Sequence, residues 1–191
     1  MKSLKSRIWL MRSILLALPL LLLADLVSQQ SFSQHYPKHI QIAKGFVGTR
    51  ELPNNRGYWI DRFNKFTKNP IGSPYCQAFV NFCIDSAKAK LPIKSGLAMN
   101  YKTKKSQSAA KVLAGIYKVK AGDVITWQKG KTIYGHTGFA SENWKNESGM
   151  TIQANTTKTG ESRDGGGIWE KKAKINQFSD FRIVRFTPVE Y

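Results

Sequence analysis

Apolar positions recur at three and four residues from about residue 38 to residue 88, then give way to short β-rich runs in the second half. Ile40, Ile42, Ala43 and Phe46 mark one helical face, closed by the glycines at 45 and 48. A second helix is predicted over 58–66, with Trp59, Ile60, Phe63 and Phe66 inward. The clearest stripe is Phe79, Val80, Cys83, Ile84 and Ala87, which predicts one buried face of a helix over 76–88. The turn-forming run Asn69-Pro70-Ile71-Gly72-Ser73-Pro74 delivers Cys76 to the first turn of that helix. Residues 95–115 are polar and lysine-bearing, with a short helix over 106–113.

Beyond residue 120 the pattern is that of strands. Runs over 122–127, 135–141, 150–156, 167–175 and 181–186 are separated by polar, glycine-bearing loops. Helices first and adjacent strands afterwards predict an α+β domain, its N-terminal helices packed on an antiparallel β-sheet.

The chemistry lies at three places. A thiol reacts as the thiolate, and a helix N-terminus favours an anion through its free N–H groups. Cys76 therefore stands where a nucleophile is activated. His136, between Gly135 and Thr137, can take a proton from a thiol and return it to a leaving amine. Gly135 and Gly138 allow close approach around it. Asn155 and Gln153, two apart on one strand face, are the candidates to orient the imidazole. Tyr75 and Gln77 flank the cysteine and are candidates to help stabilise an oxyanion, with the helix N–H groups. Cys83, seven residues from Cys76, lies ~10 Å away along one helix, too far for a disulfide, and reads as core. His35 and His39 have no third partner that would make a metal site. Gly165-Gly166-Gly167 lacks the lysine and the strand-to-helix context of a phosphate loop. The chemistry needs no cofactor.

The formal charge is +18 in 191 residues. Zinc-finger spacing and RNP-like aromatic motifs are absent from the sequence, which argues against specific nucleic-acid binding. Residues 1–33 have a basic flank (Lys2, Lys5, Arg7 and Arg12) before the apolar run 13–24, which Asp25 interrupts. That layout is a secretory signal, or alternatively an uncleaved anchor, since the run falls short of the ~20 residues that span a bilayer. Residues 34–191 are then the catalytic domain, and the membrane is met only through the leader. The partners an exported basic chain attracts are anionic cell-wall polymers.

Five stretches in order complete the picture: Gly48-Thr49-Arg50-Glu51, Tyr75-Cys76-Gln77-Ala78-Phe79-Val80, Gly122-Asp123-Val124, His136-Thr137-Gly138 and Gln153-Ala154-Asn155-Thr156. Together they resemble the CHAP family, the cysteine- and histidine-dependent amidohydrolases/peptidases of the papain-like group. The resemblance implies a papain-like cysteine hydrolase with Cys76 as nucleophile, His136 as base and acid, and Asn155 as orienting residue. It implies amide hydrolysis in peptidoglycan through an acyl-enzyme. Tyr75 stands where the family has tryptophan, Gln77 where it has a small residue, and Gln153 where it has an acid. The last change removes a charge that would stabilise an imidazolium. It motivates an alternative: a non-catalytic cationic wall-binding protein on a decayed fold of this family.

Overall fold

The computed structural model describes residues 36–159, 166–176 and 181–191. The leader and His35 lie outside the described residues. Helices α1 (Lys38–Lys44), α2 (Tyr58–Phe66) and α3 (Cys76–Ser86) come first. After a 3₁₀ turn at Ala98–Asn100 come β1 (Gln107–Ser108), α4 (Ala109–Leu113), β2 (Val124–Lys129) and β3 (Gly135–Ala140). The described elements end with β4 (Ser148–Thr156), β5 (Gly167–Lys174) and β6 (Phe181–Thr187). The six strands form one sheet in the order β1-β6-β2-β3-β4-β5, and each neighbouring pair is antiparallel. The α+β class read from the sequence is the class observed.

Side chains alternate across a strand, so β2, β3 and β5 each feed two cores. On one face Val124, Phe139, Ile152, Ala154 and Ile168 pack with Ile40, Phe63, Phe79 and Ile84 of the helices. On the other, Ile125, Trp127, Ala140, Val184 and Phe186 pack with Val119 and Trp144. Burial on both faces explains why these strands carry apolar residues in runs instead of strict alternation.

Helix α3 is the central post. Phe79, Val80, Cys83 and Ile84 are fully buried, as their spacing requires, and the Phe79 ring lies 6.2 Å from Phe139 of β3. Its burial extends further round: Gln77 and Asn81 are also fully buried. Gln77 Nε2 donates to Asn81 Oδ1 at 2.7 Å, and Asn81 Nδ2 donates to the carbonyls of Ile93 and Ser95. These bonds tie segment 93–95 to α3 and satisfy the buried Asn81 amide and the Gln77 Nε2, whose burial would otherwise be costly.

Two expectations are corrected. The inward face of α2 is Ile60, Phe63 and Asn64, continued by the buried C-cap residue Thr67, while Trp59 is part-exposed and Phe66 half-buried. Asn64 occupies the core side because its Nδ2 donates to the carbonyl of Ser73. That bond outweighs apolarity and fixes the turn that leads into α3. The helix expected over 106–113 is divided: Gln107 and Ser108 pair with β6 before α4 begins.

Candidate active site

Cys76 is the first residue of α3, with Tyr75 at the N-cap position. No side chain caps this helix and no acid sits in its first turn. The uncapped N–H groups leave a positive helix end beside the sulfur, which favours a thiolate. Cys76 lines a cleft of about 270 Å³ whose other walls include Pro74, Leu97, Ala98, Tyr134 and Gly135. Gly135 directly precedes His136, so the wall facing the thiol runs into the imidazole-bearing strand. The two cysteines are unbridged, and burial pushes the Cys83 thiol up in pKa. Cys83 is thus the inert thiol of the pair.

His136 is buried on β3, opposite Trp127 of β2, with the two rings stacked 6.0 Å apart. Its Nε2 lies 3.0 Å from Gln153 Oε1. Gln153 is directly opposite Gly138, two residues beyond His136, so the contact runs diagonally between strands. Glycine at 138 makes it feasible. A Cβ there would lie 2.7 Å from the Ile152 carbonyl oxygen and 2.9 Å from Gln153 Cγ.

The direction of this bond follows from its neighbours. Thr151 Oγ1 donates its one proton to the Lys171 carbonyl at 2.9 Å. Its oxygen therefore accepts from Gln153 Nε2, also at 2.9 Å. With its NH₂ end turned to Thr151, Gln153 presents only its carbonyl oxygen to His136. The imidazole must then carry its proton on Nε2, which leaves Nδ1 as the basic nitrogen. An uncharged amide thus sets the tautomer that an acid would set, without the acid's charge.

Nε2 of His136 has one hydrogen, and its partner is Gln153. The residues alone left both amides open and the family resemblance implied Asn155; the bond observed here is to Gln153. Asn155 sits at an irregularity in β4 between Ala154 and Thr156, buried, with φ of 58°. Asparagine tolerates this left-handed conformation better than most residues. Its backbone N–H bonds the Tyr75 hydroxyl, which donates in turn to Glu51 Oε2 at 2.8 Å. Tyr75 is fully buried, and desolvation together with Glu51 pushes its hydroxyl far up in pKa. Its proton is committed to Glu51, as the Gln77 amide is to Asn81. Both flanking residues anchor the start of α3. Sequence reasoning missed Glu51 and Thr151 as parts of this network. The Gly-x-x-Glu stretch was the available signal for the first, and the i, i+2 spacing from Gln153 for the second.

The α+β domain thus bears its thiol at a helix start in a cleft, and its imidazole on the strand whose Gly135 lines that cleft. Residues 68–155, a stretch that holds Cys76, His136, Gln153 and Asn155, match the model of the CHAP domain family. The structure is also similar to the crystal structure of a wild-type endolysin, LysIME-EF1, at 17% identity and a TM-score of 0.45. The likeness covers 78% of this chain and 62% of that one, so the chain spans less than two thirds of the endolysin's length. No curated protein matches the chain.

Proposed function

We propose that the protein is a thiol-dependent hydrolase that cleaves amide bonds of peptidoglycan. The observation that carries the reading is the hydrogen-bond chain from His136 through Gln153 and Thr151 to the Lys171 carbonyl. It holds the imidazole with Nδ1 as the base, on the strand whose Gly135 lines the cleft with Cys76. Nδ1 takes the thiol proton, and the sulfur bonds to the substrate carbonyl carbon. The oxyanion meets the free N–H groups at the start of α3. As the C–N bond breaks, His136 returns the proton to the leaving amine. Water, deprotonated by His136, then opens the thioester, giving a carboxylate and the free thiol.

The chain is exported or held at the envelope by its leader, where basic charge draws it to anionic wall polymers. One observation favours a second reading. Gln153 lacks the negative charge that would stabilise the imidazolium, as expected of a wall-binding protein that has lost catalysis. Muropeptide release from purified peptidoglycan separates the two. The enzyme reading expects release by the native chain and none by Cys76→Ala; equal behaviour of both supports the binding protein.

A further inference from the structure

Residues 86–122 contain nine lysines and no aspartate, glutamate or arginine. The catalytic reading uses none of these lysines. Four of them, Lys90, Lys102, Lys104 and Lys105, rim a groove of about 430 Å³. All four are exposed. The floor is apolar, with Pro92, Pro188 and the buried Tyr101. The one acid there, Glu190, lies 3.4 Å from Lys105 Nζ. A solvent-exposed pair of this kind holds little energy, and three lysines still face the groove against no other acid.

The groove shares no residue with the cleft, yet one segment builds both. Leu97 and Ala98 line the cleft with Cys76, while Pro92 and Tyr101 to Lys105 line the groove. The Asn81 amide pins this segment to α3 at Ile93 and Ser95. A chain lying in the groove is therefore held by the same rigid piece that shapes the cleft.

We infer that this groove binds a linear phosphodiester polymer, with its phosphates on the lysine rim and its carbon backbone on the proline and tyrosine floor. The concave shape suits a single chain and cannot follow a flat bilayer. The cations are all lysines, point charges that suit phosphates spaced along a chain, without the arginine fork that matches a carboxylate in two places. The binding is independent of catalysis. The proposal rests on the hydrolase reading only for its purpose, retention beside the wall.

The test is fluorescence anisotropy of an end-labelled glycerol-phosphate oligomer with the purified protein. Lys102→Gln/Lys104→Gln/Lys105→Gln is compared with Lys65→Gln/Lys118→Gln/Lys145→Gln, which removes the same charge from exposed sites outside the groove. The groove triple is expected to weaken binding by about tenfold or more and to flatten its salt dependence, against roughly twofold for the control. Equal losses in both triples would reduce the effect to bulk charge and overturn the site. Tighter binding to phosphatidylglycerol vesicles than to the oligomer, lost in the same triple, would assign a membrane surface instead. Cys76→Ala should bind the oligomer as the native chain does. Equal muropeptide release by the native chain and Cys76→Ala thus ends the hydrolase reading, while undiminished oligomer binding by the groove triple ends this one.

Discussion

Thr151 decides which way Gln153 turns. Its proton is spent on the Lys171 carbonyl, so its oxygen takes the Gln153 N–H and the amide carbonyl is left for His136. The polarity of the imidazole is set two residues away from the group that touches the ring.

Gln153→Leu keeps bulk and removes the acceptor. A buried Nε2–H without a partner costs about 1–3 kcal/mol, and the ring loses its tautomer preference. The expected loss in kcat/KM on a soluble amide substrate is about a hundredfold. Gln153→Glu retains the acceptor and adds a charge that favours the imidazolium. It should keep activity and raise the pH at which His136 titrates, read from its ring protons by NMR. Thr151→Val, isosteric but unable to accept, should reproduce part of the Gln153→Leu loss while the fold persists.

Gly138→Ala places a methyl against the Ile152 carbonyl at 2.7 Å and Gln153 Cγ at 2.9 Å. Backbone on the neighbouring strand cannot give way, so β3 and β4 must part. The expected outcome is a stability loss of about 1–3 kcal/mol in urea melts. Activity should fall beyond what that loss explains, because the diagonal from His136 to Gln153 lengthens. Wild-type kcat/KM in a destabilised Gly138→Ala protein would remove glycine's role in this contact.

His39 gives the fold an acid limit. Its Nε2 donates to the Gly122 carbonyl at 2.9 Å, and its Nδ1 accepts from the Tyr191 hydroxyl at 2.8 Å. Burial lowers its pKa from the usual 6.5 to about 4. The unfolded chain therefore binds a proton first as pH falls. Stability is full above 6.5, declines between 6.5 and about 4, and levels off below, a total of roughly 3 kcal/mol. Asp123, next to Gly122, has its carboxyl pushed up by burial and acts in the opposite sense at the acid end of that window. Urea midpoints across this range should slope for the native chain and flatten in His39→Gln. Parallel slopes would assign the acid sensitivity elsewhere.

The helices and strands were legible because their periodicities differ and each is long enough to repeat. Cys76 was legible because a Pro/Gly turn meets an apolar stripe at that residue. The amide that holds His136 was not fixed by sequence. Gln153 and Asn155 have similar chemistry two residues apart, and only the irregularity after Ala154 and the close approach of Gln153 to Gly138 decide between them. Trp59 misled for a related reason: periodicity counts apolarity, whereas Asn64 gains its buried place from a single bond to Ser73. The lysines of 86–122 showed a charge but no shape, since a groove needs Pro92 and Pro188 brought together from distant parts of the sequence.

The most direct measurement is the rate of Cys76 alkylation by iodoacetamide against pH, in the native chain and in His136→Ala. Cys83 is buried and contributes little. An activated pair gives an inflection well below the ~8.5 of a free thiol, and His136→Ala moves it back towards that value. An ordinary inflection, the same with and without the imidazole, would contradict a working partnership between Cys76 and His136.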